Sequence, residues 1–330
     1  MPSLEKFAAL QSAIQLTLPA LNEVVRHHLN SDVWLIRQIS EYLIAGGGKR
    51  LRPLMHVWCA KACGYHPDDH ENDETLLLGA VLELIHTATL LHDDVVDRSE
   101  LRRGKLTANA AFGNAASVLS GDFLYSRAFQ MMVSLKRMMI MDILSSATNV
   151  IAEGEVLQLM YAGEARITEK QYRQMIEAKT AKLFEAAAEL GAVLAQREEW
   201  RAALASYGRH VGVAFQLIDD MLDYSSDASE IGKNVGDDLE EGKWTLPLLL
   251  AFERSEIEVQ THLEALVQKK DRSNLPELLR IFADTKALQA TEAAAQHESK
   301  QAIAALDILP PSHYKELLIE LAHFAVQRNT

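Results

Sequence analysis

Two groups of aspartates carry the chemistry that can be read from this chain. The first closes the stretch His86-Thr-Ala-Thr-Leu-Leu-His-Asp-Asp-Val-Val-Asp97, where Asp93, Asp94 and Asp97 follow an apolar run. Residues four apart on a helix nearly eclipse, so Asp93 and Asp97 share a face while Asp94 is turned to one side. Carboxylates that close repel one another. A hard divalent cation resolves the conflict, and Mg2+ in particular combines a few carboxylates with substrate phosphates. The plain alternative is a solvated acidic helix end, which is the usual meaning of a short aspartate run. A second copy weighs against it. Asp219, Asp220 and Asp223, in Phe215-Gln-Leu-Ile-Asp-Asp-Met-Leu-Asp223, repeat the spacing 126 residues later, again after an apolar run. Two matching clusters on two buried-looking helices imply one cavity with metal ions between them.

An anionic ligand bridged to such metals needs cations nearby, and the sequence places them in four stretches. Gly46-Gly-Gly-Lys-Arg-Leu-Arg-Pro53 puts Lys49, Arg50 and Arg52 in a loop that opens a helix, where backbone N–H groups already favour anions. Arg102 and Arg103 follow the first acidic motif, and their guanidinium forks suit phosphate oxygens. Lys179-Thr180 sits in the middle of an apolar helical run, where a lysine seeks an anion or snorkels to solvent. Lys233 and Lys243 bracket the loop-like segment Ile231 to Pro247, which reads as a lid that closes over the site. His86 lies two turns before Asp93, and Gln216 one turn before Asp219.

The elements that must position these groups read as helices throughout. Residues 3–29 and 31–45 form two amphipathic helices, the second capped by Ser31 or Asp32. Pro53 suits the first turn of the helix after the basic loop. A long helix begins near Asp73 and ends in the first acidic motif. Helices follow over 114–135, 138–162 and 169–195 (capped by Thr168), and one over about 198–224 carries the second motif. Residues 248–328 return to helices with breaks near Ser273, Asp284 and Pro310-Pro311, and read as scaffold. No strand-period segment of useful length occurs. The expected fold is all-α, one domain over residues 1–330, packed around a deep central cavity.

Composition agrees and excludes several functions. The 330 residues are 48% apolar and 24% charged, which is ordinary for a soluble globular chain. The formal charge of −13 argues against nucleic-acid binding, which needs a basic face. No apolar run reaches the length of a membrane span, and Met1-Pro-Ser-Leu-Glu-Lys lacks the pattern of a signal peptide. Cys59 and Cys63, four apart with His56 and His66 flanking them, match no standard zinc spacing and read as small core residues. A reducing, cytoplasmic setting is expected.

Taken in order, the two acidic motifs, the Gly-Gly-Gly-Lys-Arg-Leu-Arg-Pro loop, Arg102-Arg103, Lys179-Thr180 and the Gly-Lys…Gly-Lys loop resemble the trans-isoprenyl diphosphate synthases. The likeness runs from about residue 30 to the end. Asn-Ala-Ala-Phe-Gly-Asn-Ala-Ala-Ser and Ile-Ala-Glu-Gly-Glu-Val-Leu-Gln-Leu-Met are most similar to the octaprenyl-forming branch. The resemblance implies an α-helical prenyl synthase fold, a homodimer and dependence on Mg2+. The reaction it implies is head-to-tail addition of isopentenyl diphosphate to an allylic diphosphate. Lys49, Arg52, His86 and Arg103 would hold isopentenyl diphosphate. Asp93, Asp97 and Asp219 would bind Mg2+, supported by Asp94, Asp220 and Asp223. Arg102, Lys179, Thr180, Gln216, Lys233 and Lys243 would hold the allylic substrate. The growing tail would pass Thr89 and Ala88, small residues four and five positions before Asp93, toward a floor at Phe129 and Met132. A hydrophobic product of that kind is expected to pass to the membrane. Chain ends Arg328-Asn-Thr depart from the Arg-x-Arg tail of many relatives, and Trp244 is a bulky choice within the lid.

Four other readings are open. A shorter- or longer-chain trans-prenyl diphosphate synthase, geranylgeranyl to solanesyl, is one. A terpene cyclase uses an aspartate-rich motif but needs no Lys49/Arg52 loop. An HD-type metal phosphohydrolase would use His86 or His92-Asp93 as ligands and leaves the duplicated motif without a place. A non-catalytic partner subunit would not need intact acidic clusters.

Overall fold

The computed structural model describes residues 7–67, 73–102, 104–162, 164–225 and 235–327. The element that organises it is the helix α4, Glu74–Val96, because it is apolar almost all round and must be covered on every side. Asp73 starts it: its carboxylate accepts the Thr75 N–H at 2.9 Å and the Thr75 hydroxyl at 2.6 Å. Leu78, Val81, Leu82 and Ile85 along it are fully buried. This helix alone passes the test of length and apolarity for crossing a membrane among the described residues, which corrects the expectation that no segment would. Most of its surface is covered by protein.

Four long helices form the wall beside it. α3 (Leu51–Ala62) and α6 (Asn114–Ser134) pack directly on α4. α3 in turn carries α9 (Lys182–Leu194), which lies along α10 (Arg201–Leu222). α10 is the second central helix. Leu204, Tyr207 and Val211 join the apolar cluster around α4, while Val213, Leu217 and Ile218 join a second cluster shared with the later helices. Both acidic motifs therefore sit at the C-terminal ends of core helices, as the sequence implies.

The remaining helices close the flanks. α1 (Ala8–His28) and α2 (Trp34–Ala45) precede the basic loop, and α5 (Ala108–Phe112) precedes α6. α7 (Met138–Tyr161) packs on α9, and α8 (Glu169–Ile176) leads into a π-helical turn, Glu177–Ala181. α11 (Asp237–Glu241), α12 (Leu246–Glu253), α13 (Ile257–Lys269), α14 (Leu275–Thr285), α15 (Ala287–Ala305) and α16 (His313–Val326) follow. α15 lies along α10, and α16 packs on α3 and α15.

The all-α expectation holds, with local differences. Ser31 does not cap α2: that helix starts at Trp34, and Ser31 Oγ accepts the Val33 N–H at 3.2 Å. Thr168 caps α8 in a reciprocal box with Gln171, but the helix expected over 169–195 is divided by the π turn. A two-residue hairpin, β1 (Leu101–Arg102) against β2 (Lys105–Leu106), falls where no strand was expected. Cys59 and Cys63 are buried in the core with protonated thiols, since burial pushes both pKa values up, Cys63 to about 12.

His56 is a buried base in the same core. Its Nδ1 is 3.0 Å from the Ala187 carbonyl on α9, while Nε2 has no partner in the structure. Desolvation pushes its pKa down to about 4. In the unfolded chain the imidazole takes up a proton near pH 6.5, so from there down to about pH 4 the unfolded state binds more protons and stability falls as pH falls. His56→Gln removes that titration. The variant is expected to lose about 3 kcal/mol less than the parent between pH 7 and pH 4, measured by urea unfolding at each pH.

Candidate active site

At the end of α4 the three aspartates have separated roles. Asp93 lies 3.0 Å from Lys179 Nζ, and Asp97 lies 3.5 Å from Lys243 Nζ. Asp94 is buried and turned the other way, where Arg102 grips it with Nη2 at 2.7 Å and Nε at 3.1 Å. Burial raises the Asp94 pKa, and Arg102 opposes the rise. The spacing argument thus holds: Asp93 and Asp97 face the cations, and Asp94 anchors the hairpin that presents Arg102.

The second motif divides in the same manner. Buried Asp220 accepts hydrogen bonds from the Tyr172 hydroxyl and from Gln216 Nε2, the latter at 2.7 Å. Burial and the charges of Asp238 and Asp219 raise its pKa, against these donors. Asp223 accepts the backbone N–H groups of Asp237 and Asp238 at 3.2 and 3.0 Å, and so pins the start of α11. Asp219 is close enough to the Arg52 guanidinium to raise that group's pKa. Asp220 and Asp223 accordingly hold the scaffold.

A polar relay joins the two motifs. Thr180 donates its hydroxyl hydrogen to Gln216 Oε1 at 2.8 Å, Gln216 donates to Asp220, and the neighbouring Lys179 reaches Asp93. Lys179 and Thr180 can do this because they sit in the π turn rather than in a regular α-helix. A π turn adds a residue and re-aims side chains, and such turns occur often at functional sites. Two glycines let neighbouring helices approach it. A Cβ at Gly154 of α7 would lie 2.6 Å from the Lys179 backbone nitrogen, and one at Gly212 of α10 would lie 2.6 Å from Ala181 Cα.

The basic loop is more differentiated than its sequence. Arg50 does not project: it adopts a left-handed backbone conformation and pairs with buried Glu83 of α4. Its expected exposure as a third free cation is corrected by that pairing. Arg52 lies over the Phe184 ring, 4.1 Å from the centroid, with Nε buried and unpartnered. Burial lowers its pKa to about 10, opposed by Glu83 and Asp219. Lys49 stands 4.7 Å over Phe324 of α16. His86 is half-buried on α4, and its carbonyl accepts the Thr89 hydroxyl at 2.7 Å. Further along α4 and α6, Ala88 and Met132 are fully buried, while Phe129 is half-buried against the core.

The segment expected as a lid is in part a docked element. Lys233 and residues 226–234 lie outside the described residues, as does Arg103. Residues 235–247 are folded, with α11 held by Asp223 at one end and Trp244 behind it. Trp244 is buried, donates its indole N–H to the Ala165 carbonyl at 2.9 Å, and meets Phe252 edge-on. Held at both ends of its ring system, Trp244 fixes the backbone directly after Lys243. Lys243 also pairs with Glu241. Burial would lower the Lys243 ammonium, but Asp97, Glu241 and Asp238 together raise it.

Sequence reasoning missed Glu155, Tyr172, Phe184 and Glu241. Glu155 is 2.6 Å from Lys179 Nζ; its signal was an acid next to Gly154, paired with Glu153 on the glycine's other side. Tyr172 and Phe184 carry no such signal. His92 packs on Gly121, with Nε2 3.2 Å from the Val118 carbonyl and 3.3 Å from Asp122, so it does not act with Asp93 as an HD pair would require.

Among the described residues no three ligating side chains form a ready-made metal cage. The donor set nevertheless fits a hard divalent cation. It consists of carboxylate oxygens, with two of them held against ammonium groups whose place a cation of higher charge can take. Mg2+ commonly takes only one or two protein carboxylates and completes its shell with water and phosphate.

An all-helical bundle whose two core helices each end in an aspartate motif, with two lysines set against the first, is the architecture of the isoprenoid synthases. Residues 33–283 match the polyprenyl synthetase family, and the chain belongs to that family. It is 51% identical over 314 residues to octaprenyl diphosphate synthase of Escherichia coli (strain K12), covering 94% of this chain and 96% of that one. It is 47% identical over 311 residues to octaprenyl diphosphate synthase of Haemophilus influenzae, covering 94% and 93%. Among solved structures, polyprenyl synthase from Caulobacter crescentus CB15, complexed with calcium and isoprenyl diphosphate, superposes with a TM-score of 0.91 at 44% identity, covering 98% of each chain. The chain is thus a prenyltransferase, as its motifs imply.

The π turn yields a test. Gly154→Ala and Gly212→Ala each place a methyl within 2.6 Å of its backbone. Both are expected to lower kcat at least about tenfold by moving Lys179 and Thr180, with far-UV circular dichroism unchanged. A parent-like kcat for both would refute the positioning role of the turn.

Proposed function

We propose that this chain is a long-chain trans-polyprenyl diphosphate synthase, a single catalytic domain over residues 1–330. It adds isopentenyl diphosphate head-to-tail to an allylic primer, with farnesyl diphosphate as the primer and octaprenyl diphosphate, precursor of a quinone side chain, as the product. The observation that carries the reading is that two neighbours in the π turn reach toward both acidic motifs, Thr180 through Gln216 to Asp220 and Lys179 to Asp93, which supports their acting as one site. The similarity to two octaprenyl diphosphate synthases supports the product length.

The residues divide the work. Asp93, Asp97 and Asp219 would hold Mg2+, which when bound neutralises charge on the departing diphosphate. Arg102, Lys179 and Lys243 donate N–H groups to that diphosphate, and Lys233 is assigned to the same substrate by its motif position. Lys49, Arg52, His86 and Arg103 hold isopentenyl diphosphate, and the unpartnered Arg52 Nε supports this, since a buried donor without a partner is costly until a ligand supplies one. As the allylic carbon–oxygen bond breaks, the Thr180 and Gln216 dipoles lie beside the developing cation and favour it electrostatically. The isopentenyl double bond attacks, and the released diphosphate takes up the proton that is lost. The buried setting excludes water from the cation.

The tail descends past Ala88 and Thr89 along α4, which spans roughly 34 Å over its 23 residues. Phe129 and Met132 on α6 form its floor. Homodimerisation is part of the reading. Leu119 and Val133 on α6, and Met138, Val156, Leu159 and Met160 on α7, are exposed in the single chain, and a second copy would cover them. The long apolar product would pass to the membrane, each buried methylene favouring lipid by about 0.8 kcal/mol.

Labelled isopentenyl diphosphate with farnesyl diphosphate and Mg2+, followed by chromatographic sizing of the lipid, tests the whole reading; the expected product is octaprenyl diphosphate, and no extension of the primer would sink it. Asp93→Ala is expected to cut turnover by orders of magnitude with its helical signal intact. Ala88→Phe is expected to shorten the product, and an unchanged profile would remove Ala88 from the tail's path.

A further inference from the structure

The two carboxylates of the first motif that face the site are each held by a lysine, and each lysine has a second acidic partner. Lys179 Nζ is 3.0 Å from Asp93 and 2.6 Å from Glu155, while Lys243 Nζ is 3.5 Å from Asp97 and also pairs with Glu241. The four acids come from three separate elements. Asp93 lies on α4 and Asp97 caps its C-terminus, Glu155 lies on α7 and Glu241 on α11. A lysine shared between one site carboxylate and a neighbouring glutamate therefore occurs twice, by independent routes through the fold, and Glu155 also touches Asp93 itself.

We infer that Lys179 and Lys243 are resident counter-ions for the metal-free site, and that Glu155 and Glu241 are positioning residues that receive them when a divalent cation arrives. The inference rests on the reading of Asp93 and Asp97 as cation-binding carboxylates. Unneutralised, Asp93 and Asp97 repel each other across one helical turn. The lysines remove that repulsion while no metal is present. A divalent cation must displace both ammonium groups, and an ammonium that is mostly buried cannot be left without an anion. Lys179 is only 19% exposed, so solvent cannot take that role. Glu155 can, because it already touches Nζ: the ammonium shifts its weight from one carboxylate to the other without leaving the site. It then stands beside the diphosphate that the metal brings. Glu241 does the same for Lys243.

Simple charge would also make a glutamate favour cation binding, so the test turns on whether the glutamate acts through its lysine. Metal-free full-length chain is titrated with Mn2+, and the free ion is counted by its electron paramagnetic resonance signal, with no substrate present. Glu155→Gln is expected to weaken Mn2+ binding about tenfold, the scale of one lost charge-assisted contact. In a Lys179→Met background the same substitution is expected to change it less than about twofold, because no ammonium remains to be received. The pair Glu241→Gln and Lys243→Met gives an independent cycle should either Lys179 variant fail to fold. Equal losses in the presence and absence of the lysine, or no loss in either, would overturn the counter-ion role. Asp93→Asn separates the underlying reading: if it leaves Mn2+ affinity unchanged, Asp93 is no ligand and the assignment of the site itself fails.

Discussion

Like charge gathered in a poorly solvated place is the constraint to which the rest of the structure answers. Six aspartates end two helices whose other faces are buried, and unpaired carboxylates in such a setting cost far more than they would in water. The fold meets that cost by dividing the labour. Asp94 and Asp220 turn inward and are satisfied by protein donors, Arg102 for one and Tyr172 with Gln216 for the other. Asp223 closes onto backbone N–H groups of the next helix. Asp93 and Asp97 are left toward the lysines, as groups that can exchange partners. What is in sequence one acidic pattern occurring twice is, in space, a set of anchors and a set of carboxylates left to lysines.

The π turn belongs to the same solution. A regular α-helix through 169–195 would continue the register of α8 into α9. The extra residue re-aims Lys179 and Thr180, so that one reaches α4 and the other α10. The turn survives because its neighbours have no side chain where its backbone passes. One lysine placed in this way links α4, α7 and the π turn, and its neighbour adds α10.

Much of this was legible in the residues. The apolar runs before each aspartate motif, Asp73 and Thr168 as caps, and the glycine loop before Pro53 all express local rules that tertiary packing then respected. The i, i+4 spacing separated Asp93 and Asp97 from Asp94 correctly, since it depends only on helix geometry. Legibility failed where partners come from far away. Nothing near Arg50 reveals that Glu83 takes it out of the loop, and nothing near Asp220 reveals Tyr172. Trp244 looked out of place in a loop because its reason, a hydrogen bond to Ala165 and a ring contact with Phe252, lies in other segments. The π turn was invisible because the glycines that make room for it lie on other helices, and helix propensity along 169–195 shows no break.

Lys49 owes its position to Phe324, an aromatic on the last helix of the fold. Translation proceeds from the N terminus, so the basic loop is made early and its aromatic support very late. While the nascent chain is still on the ribosome, the ammonium has no ring to rest on, and α3 lacks the helix that packs against it. The packing around the basic loop is therefore completed only after nearly the whole polypeptide has emerged.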